Sequence, residues 1–437
     1  MAPRALRAKL AGRPPNLLII TSDTTRADFL HCYGHPLIKT RAIDRLAKEG
    51  VFFSRAYAQA PQTLPSHASL FTGLYPITHN VLSNGQDLSD EAFTLAEVLK
   101  QRGYRTGAII GASPLHQDFN LDQGFDSYND DFRDPLLSRG FKSFFRFFSR
   151  GKINIATSRP ANRVAALAKK WLSKHAKRNH PFFLWVHFFD PHHPYIAHPD
   201  FKRPNVARED GKANEYGVKE SNYLSEIEFA DYYLGQVLNH LDRLGLTENT
   251  LTVFTADHGE SLGEHSYRGH REELYDSIVR VPLIIRFPGR LPMNETFSTP
   301  AMTIDITPTV LSLLGIPFPK DVYQGVNLFS LPEDRTRKIF SMAVELFTKS
   351  PIRVALIVDD WKFIQFDDPE RNALYNLETD PEELQNILHK RHSAYESAIN
   401  WEAEVKDWFE RFEKLEIADI PPSQEQIERL RSLGYVH

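Results

Sequence analysis

Residues 16–24 read NLLIITSDT: four aliphatic side chains in a row, a threonine, and then the polar step Ser22-Asp23-Thr24. A strand with one wet face alternates apolar and polar positions, so an unbroken run fits a strand covered on both faces. Four more runs have this character: TGAII (106–110), FFLWVHFF (182–189), LTVFT (251–255) and VPLIIRF (281–287). Between them lie longer helical patterns. Ile227, Leu234, Val237, Leu238 and Leu241 recur at helical spacing before Gly245, and RAIDRLAKEG stops on Gly50. Short buried strands alternating with helices predict βα units, and so an α/β fold whose large, mainly parallel or mixed sheet is flanked by helices.

From about residue 335 the pattern changes to shorter segments such as VALIVDDWKFIQF, followed by charged helical stretches. The expected organisation is an N-terminal tail at 1–14, a catalytic α/β domain at 15–334 and a smaller C-terminal α+β domain at 335–437. A chain of 437 residues exceeds what one core usually supports, which agrees with a second unit.

The formal net charge of -4 gives no pull toward nucleic acid, and none is expected as a partner. Cys32 is the only cysteine, which excludes an intramolecular disulfide and a thiolate metal cage. The opening MAPRALRAKLAGRPPN lacks the apolar run of a signal peptide, and no segment approaches a membrane span, so a cytoplasmic protein is expected. Residues 136–180 stand apart, with twelve Lys or Arg, no Asp or Glu, and phenylalanines at 141, 144, 145, 147 and 148. A helix through RGFKSFFRFFSR (139–150) would set its cations along one face. It reads either as a solvated lid or as a basic, aromatic surface for an anionic substrate or peripheral membrane contact.

Ligands of open α/β sheets collect at the carboxyl ends of the strands. There the sequence places Asp23 after the first run, Asp257-His258 after LTVFT, and Asp190, His192 and His193 after FFLWVHFF. One such Asp is ordinarily a turn or N-cap residue. Several together, with imidazoles, suit one divalent cation: Ca²⁺, Mg²⁺, Mn²⁺ or Zn²⁺. In APQTLPSHASLFTGLYP (60–76), Pro65 and Gly73 bracket a helix and place Thr63 at its N-terminus. Its hydroxyl is either a cap or a nucleophile favoured by the helix dipole and an adjacent metal.

With these residues in view the chain resembles the sulfatase family of the alkaline-phosphatase superfamily. The likeness rests on PNLLIITSDTTRADFLHCYG, LPSHASLFTGLYP, LGLTENTLTVFTADHGESLGEH, LYDSIVRVPLIIRFPG and WKFIQ…NALYNLETDPEELQNIL, in family order from Pro15 to Leu388. It implies a large catalytic α/β domain and a small C-terminal α+β domain. Sulfatases mark their nucleophile with Cys or Ser, any residue, Pro, Ser or Ala, and Arg, and oxidise the Cys or Ser to formylglycine. Here the aligned residues are Thr63, Leu64, Pro65, Ser66 and His67, and threonine cannot become that aldehyde. Many members carry two adjacent Asp where this chain has Asp23-Thr24, and a Lys-x-His pair for which only His116 is a remote candidate.

The resemblance implies metal ligands Asp23, Asp257, His258 and Thr63, a set similar to that of threonine-dependent phosphoesterases and phosphoglycerol transferases of the superfamily. It further implies catalytic roles for Thr63, for His192 as a phosphoryl- or sulfuryl-oxygen ligand or proton donor, for His270 or Arg271 near a family lysine, and for His67 in place of the motif arginine. Arg26 resembles a metal-shell arginine, with a structural salt bridge as the other reading. A sulfated threonine lacks the C–O exit open to a sulfated formylglycine hydrate, whereas a phosphorylated one is cleared by attack at phosphorus. The expected activity is therefore metal-dependent hydrolysis of sulfate- or phosphate-type esters, phosphoesters and phosphonates favoured, on a small molecule, glycan or lipid headgroup. The alternatives are a phosphoryl-headgroup transferase and an inactive sulfatase-like binding protein.

Overall fold

The computed structural model describes residues 13–132, 158–176, 180–201, 220–332, 336–344, 353–366, 368–388 and 394–411. In chain order the strands are β1 (Asn16–Ser22), β2 (Val51–Tyr57), β3 (Arg105–Ile109), β4 (Ser127–Asn129), β5 (Phe182–Phe188), β6 (Thr250–Thr255), β7 (Ser261–Leu262), β8 (Arg268–Gly269), β9 (Arg280–Arg286), β10 (Glu295–Phe297), β11 (Ala301–Met302), β12 (Lys338–Ala343), β13 (Arg353–Val358), β14 (Trp361–Gln365) and β15 (Ala373–Asn376). The main sheet runs β10-β2-β9-β6-β1-β5-β3-β4, with β11 also on β2. At its centre β1 is parallel to β5 and β6, which sets Thr21 beside both His187 and Thr255.

The double coverage expected of β1 is present. Leu17 and Ile19 pack under the helices Thr63–Thr72, Leu95–Gln101 and Ile306–Leu313, while Leu18 and Ile20 pack under Arg41–Glu49, Ala161–His175 and Glu220–Arg243. The predicted stripe of Glu220–Arg243, from Ile227 to Leu241, is buried.

The sheet is mixed, within the expected class, and two of its strands carry detail beyond the sequence reading. The VPLIIRF segment forms β9, which is antiparallel to both β6 and β2, so the sheet is mixed. Between β6 and β9 the described chain makes the small β7–β8 hairpin and the one-turn helix Asp276–Val279. Without a crossover helix it returns antiparallel beside β6. The strand β2 escaped the sequence reading because Ser54 and Arg55 interrupt its apolar pattern, where the register slips between Phe53 and Ala56.

Strands β12–β15 form a separate antiparallel sheet. It packs Leu356, Phe363 and Ile339 together with Tyr57, Tyr75, Leu274 and Ile278 of the main unit. Polar ties cross the same boundary. Lys362 of β14, fully buried, sits 2.8 Å from Asp276 and 2.8 Å from Glu383, and Arg353 of β13 pairs with Glu273 at 3.0 Å. Both ties grip the chain just after His270.

The expected helix over 139–150, its substrate- or membrane-contact surface and most of the 1–14 tail lie outside the described residues. Among the described residues of 136–180, Arg159 donates to the carbonyls of Asn129 and Asp131 and lies over the Phe132 ring, and Lys169 donates to Gln236. Those two cations hold structure. No helix among the described residues is long and apolar enough to cross a membrane.

Candidate active site

The helix Thr63–Thr72 begins in a β-conformation N-cap at Gln62 and ends at Gly73 with φ +68°. Thr63 is thus the first helical residue and not the cap, so its hydroxyl is free of the capping role. It donates to Asp23 Oδ2 at 3.4 Å instead. Gln62 is itself held by Ser83 and by the Asn84 backbone N–H, and the Leu64 N–H donates to Asn84 Oδ1. The helix N-terminus is therefore anchored to the loop at 83–84. Ser66 Oγ, one turn in, donates to the carbonyl of Asp257 at 2.6 Å and fastens the helix to the end of β6.

Asp23, Asp257 and His258 converge, with one ligand atom from each lying within 4.8 Å of the others. The Asp257 Oδ1 atom accepts from the backbone N–H groups of Thr24 and His258, which turns Oδ2 inward. His258 Nδ1 faces the Gly259 carbonyl at 2.9 Å and must donate there, so the neutral ring presents a lone pair at Nε2. Asp23 Oδ1, Asp257 Oδ2 and His258 Nε2 are all buried without a hydrogen-bond partner among the described residues. Unpaired buried acceptors are rare and costly. Three that meet at one point, two of them carboxylate, form a donor set that fits a divalent cation.

The electrostatics agree. Burial pushes the carboxyls of Asp23 and Asp257 up, and the charge of Asp23 adds to the rise at Asp257. At His258 burial pulls downward, but Asp257 and Asp23 outweigh it and the imidazole is raised. Both shifts express uncompensated negative charge in a dry interior.

Facing this cluster are His192 and His270, with Nε2 atoms 3.2 Å apart. Each Nδ1 is committed to a carbonyl, His192 to His193 O at 2.7 Å and His270 to Pro61 O at 2.8 Å. Both rings therefore carry hydrogen on Nδ1 and turn their Nε2 atoms toward each other, and burial lowers the basicity of both. His270 also stacks on His258 at 4.2 Å. Of the competing pair His270 and Arg271, His270 makes the ring contacts to the site. Arg271, in a left-handed φ of +109°, is held through its backbone to Pro61 and Gln62.

Several other expectations resolve. His67 is fully buried behind Thr63, its two ring nitrogens taken by Thr63 O and Thr21 Oγ1. Neither ring nitrogen is left to face a substrate. Arg26 is a clamp, 2.7 Å from Asp28 and 2.6 Å from Glu264, rather than a ligand of the cluster. The remote candidate His116 faces Asp118 and Asp130. Asp190 accepts from the first N–H of the helix Ala161–His175, the ordinary role of a strand-end acid.

Two residues went unnoticed in the sequence. Asn84 has a buried Nδ2 without a partner among the described residues, next to the first turn of the helix Thr63–Thr72. Nothing in LSNGQ (82–86) distinguishes it from a turn. His187 lies in the apolar run of β5, and the only signal was a polar residue inside that run.

The model of the sulfatase family matches residues 15–316, and a model of the N-sulphoglucosamine sulphohydrolase C-terminal region matches residues 263–405. The chain belongs to the sulfatase family. It is 26% identical over 462 residues to the uncharacterized sulfatase YidJ of Escherichia coli K12, covering 91% of this chain and 89% of that one. To an N-acetylglucosamine-6-O-sulfatase of Bacteroides thetaiotaomicron it is 24% identical over 479 residues, covering 86% and 83%. The phosphonate monoester hydrolase of Agrobacterium radiobacter shares the fold, with a TM-score of 0.72, 22% identity and coverage of 91% and 96%. Membership of the family makes this chain a hydrolase of sulfuric or phosphoric esters. Thr24 is a β-branched residue at φ +50°, with its hydroxyl buried and unpartnered among the described residues. Such a conformation is held only where surrounding structure imposes it.

Proposed function

We propose that this sulfatase-family enzyme hydrolyses phosphate- or phosphonate-type esters in preference to sulfate esters, with Thr63 as the nucleophile and Asp23, Asp257, His258 and Thr63 holding one divalent cation. The observation that carries the reading is the Thr63 hydroxyl at a helix N-terminus, on the carboxylate of Asp23 and beside three unpaired ligand atoms. A bound divalent ion would supply Lewis-acid polarisation of a substrate oxygen and acidify the nearby hydroxyl.

The chain's own groups do the rest. Asp23 Oδ2 accepts the Thr63 proton and orients the lone pairs of Oγ1. The helix N-terminus favours the resulting negative charge by about 0.3–1 kcal/mol. Asn84 Nδ2 is a spare donor for a nonbridging oxygen of the ester. A proton held on Nε2 of His192 or His270 would pass to a leaving alkoxide as general acid. Thr63 then carries the phosphoryl group until water attacks phosphorus in line and the bond to Oγ1 breaks; a sulfated threonine, without the C–O exit of a formylglycine hydrate, would need the corresponding second attack at sulfur.

The substrate is an anionic ester of a small molecule, glycan or lipid headgroup. The purified protein, loaded with Mn²⁺, Mg²⁺, Ca²⁺ or Zn²⁺, is expected to cleave aryl phosphate mono- or diesters or phosphonate esters faster than aryl sulfates. Thr63→Ala abolishes turnover and Thr63→Ser retains part of it. Turnover that survives Thr63→Ala would remove the nucleophile assignment, and sulfate preference in the wild type would reverse the substrate assignment.

A further inference from the structure

His187 is fully buried, its Nε2 has no partner among the described residues, and none of the steps above uses it. The hydrogen-bond chain behind it fixes what that nitrogen presents. A carbonyl oxygen only accepts, so His67 donates through Nδ1 to Thr63 O at 2.7 Å. Complete burial keeps the His67 ring neutral, leaving a lone pair on Nε2 that accepts the Thr21 hydroxyl at 3.1 Å. Having given its one proton, Thr21 Oγ1 receives from its two remaining neighbours. These are the indole N–H of Trp185 at 2.9 Å and Nδ1–H of His187 at 3.0 Å. The count closes with His187 protonated on Nδ1 and a bare lone pair on Nε2.

That lone pair stands 3.5 Å from Asp23 Oδ2. Two electron-rich atoms facing each other in a dry interior repel unless a cation lies beside both. The same spacing recurs around the cluster: 3.4 Å from His258 Nε2 to Asp257 Oδ2, and 3.4 Å from Thr63 Oγ1 to Asp23 Oδ2. Two ligands at right angles about a cation, at roughly 2.1–2.5 Å each, stand about 3.0–3.5 Å apart. The compact set is Asp23, Asp257 and His258, and His187 adjoins it at Asp23.

We propose that His187 is a second imidazole ligand of the divalent ion, held with Nε2 toward it by the hydrogen bonds of Thr21 and His67. The proposal rests on the metal site described under the proposed function and goes beyond it in ligand number and selectivity. Two imidazoles beside two carboxylates shift preference from Ca²⁺ and Mg²⁺ toward Mn²⁺ or Zn²⁺. His67 then has a positioning role, because the residue that replaces the motif arginine links the carbonyl of the nucleophile to the ligand shell.

The test uses the full-length, metal-depleted protein and Mn²⁺. Electron spin-echo modulation of the bound Mn²⁺ should count two directly coordinated imidazole nitrogens in the wild type and one in His187→Ala. Calorimetry should show Mn²⁺ bound roughly 10–100-fold more weakly by His187→Ala, with Ca²⁺ affinity changed several-fold less. Thr21→Val, which removes only the hydroxyl, should weaken Mn²⁺ by a smaller factor. One nitrogen in the wild type overturns the proposal, whether or not the variants fold, and so does unchanged Mn²⁺ affinity in a folded His187→Ala. A folded wild type that binds no Mn²⁺ refutes the metal site itself, a different outcome from either.

Discussion

Replacing Asp23 with asparagine should stabilise the metal-free protein while destroying its metal response. Asp23 and Asp257 are buried at 0% and 1% exposure, with ligand atoms within 4.8 Å of each other. Two unit charges at that separation repel by roughly 3.5 kcal/mol at an effective dielectric of about 20. His258, drawn toward protonation by the pair, offsets part of this, so a net gain of roughly 1–2 kcal/mol is expected in Asp23→Asn. Asparagine is nearly isosteric, and its Nδ2 can donate to the unpartnered His187 Nε2 where Oδ2 could not. In chelator, thermal denaturation of the variant should therefore lie a few degrees above the wild type. With Mn²⁺ at about 100 times its dissociation constant the wild type gains about 2.7 kcal/mol and overtakes it. The pH dependence has a definite sign. Both carboxyls are raised in the folded state, so the metal-free fold binds more protons than the unfolded chain and loses stability as pH climbs from about 4 through the raised values. The advantage of the variant is absent at low pH and complete above that window. Two results would contradict this account of the repulsion: a chelated Asp23→Asn that melts below wild type at neutral pH, or one that still gains from Mn²⁺ as wild type does.

Lys362→Met should destabilise the protein by about 3–5 kcal/mol, because it leaves Asp276 and Glu383 buried without their cation; an unchanged midpoint in urea denaturation would show the triad idle. The same variant should lower kcat, since Asp276 closes the loop that carries His270. Gly259→Ala would place a Cβ 2.2 Å from the Ser277 carbonyl and displace the neighbouring His258. Calorimetry should find Mn²⁺ affinity down by tenfold or more, and a variant that binds normally would show that the loop yields elsewhere.

Within the site, legibility followed chain position. Asp23, Asp257 and His258 could be read because each ends an apolar strand, and a strand end in an α/β sheet is a place as well as a sequence. The Thr63 helix was legible from Pro65 and Gly73. His187 and Asn84 were not. One sits within a strand and the other in a turn, and each takes its meaning from a neighbour remote in sequence: Thr21 and Asp23 for His187, Leu64 for Asn84. His67 was expected among the reacting groups because it aligns with a motif arginine, yet its two hydrogen bonds place it behind them.

The amino-acid order alone was enough for the doubly covered central strands, the helices between them, the gathering of Asp23, Asp257 and His258 at strand ends and the family likeness. Those features depend on local periodicity, on strand ends and on spacing along one chain. Three others needed the folded chain: that β9 runs against its neighbours, that the C-terminal sheet grips the His270 loop through Lys362 and Arg353, and which nitrogen of each histidine carries a proton. Strand direction is set by what the connection can span, and a tautomer by the atom that happens to face it. Neither is a property of a residue and its sequence neighbours.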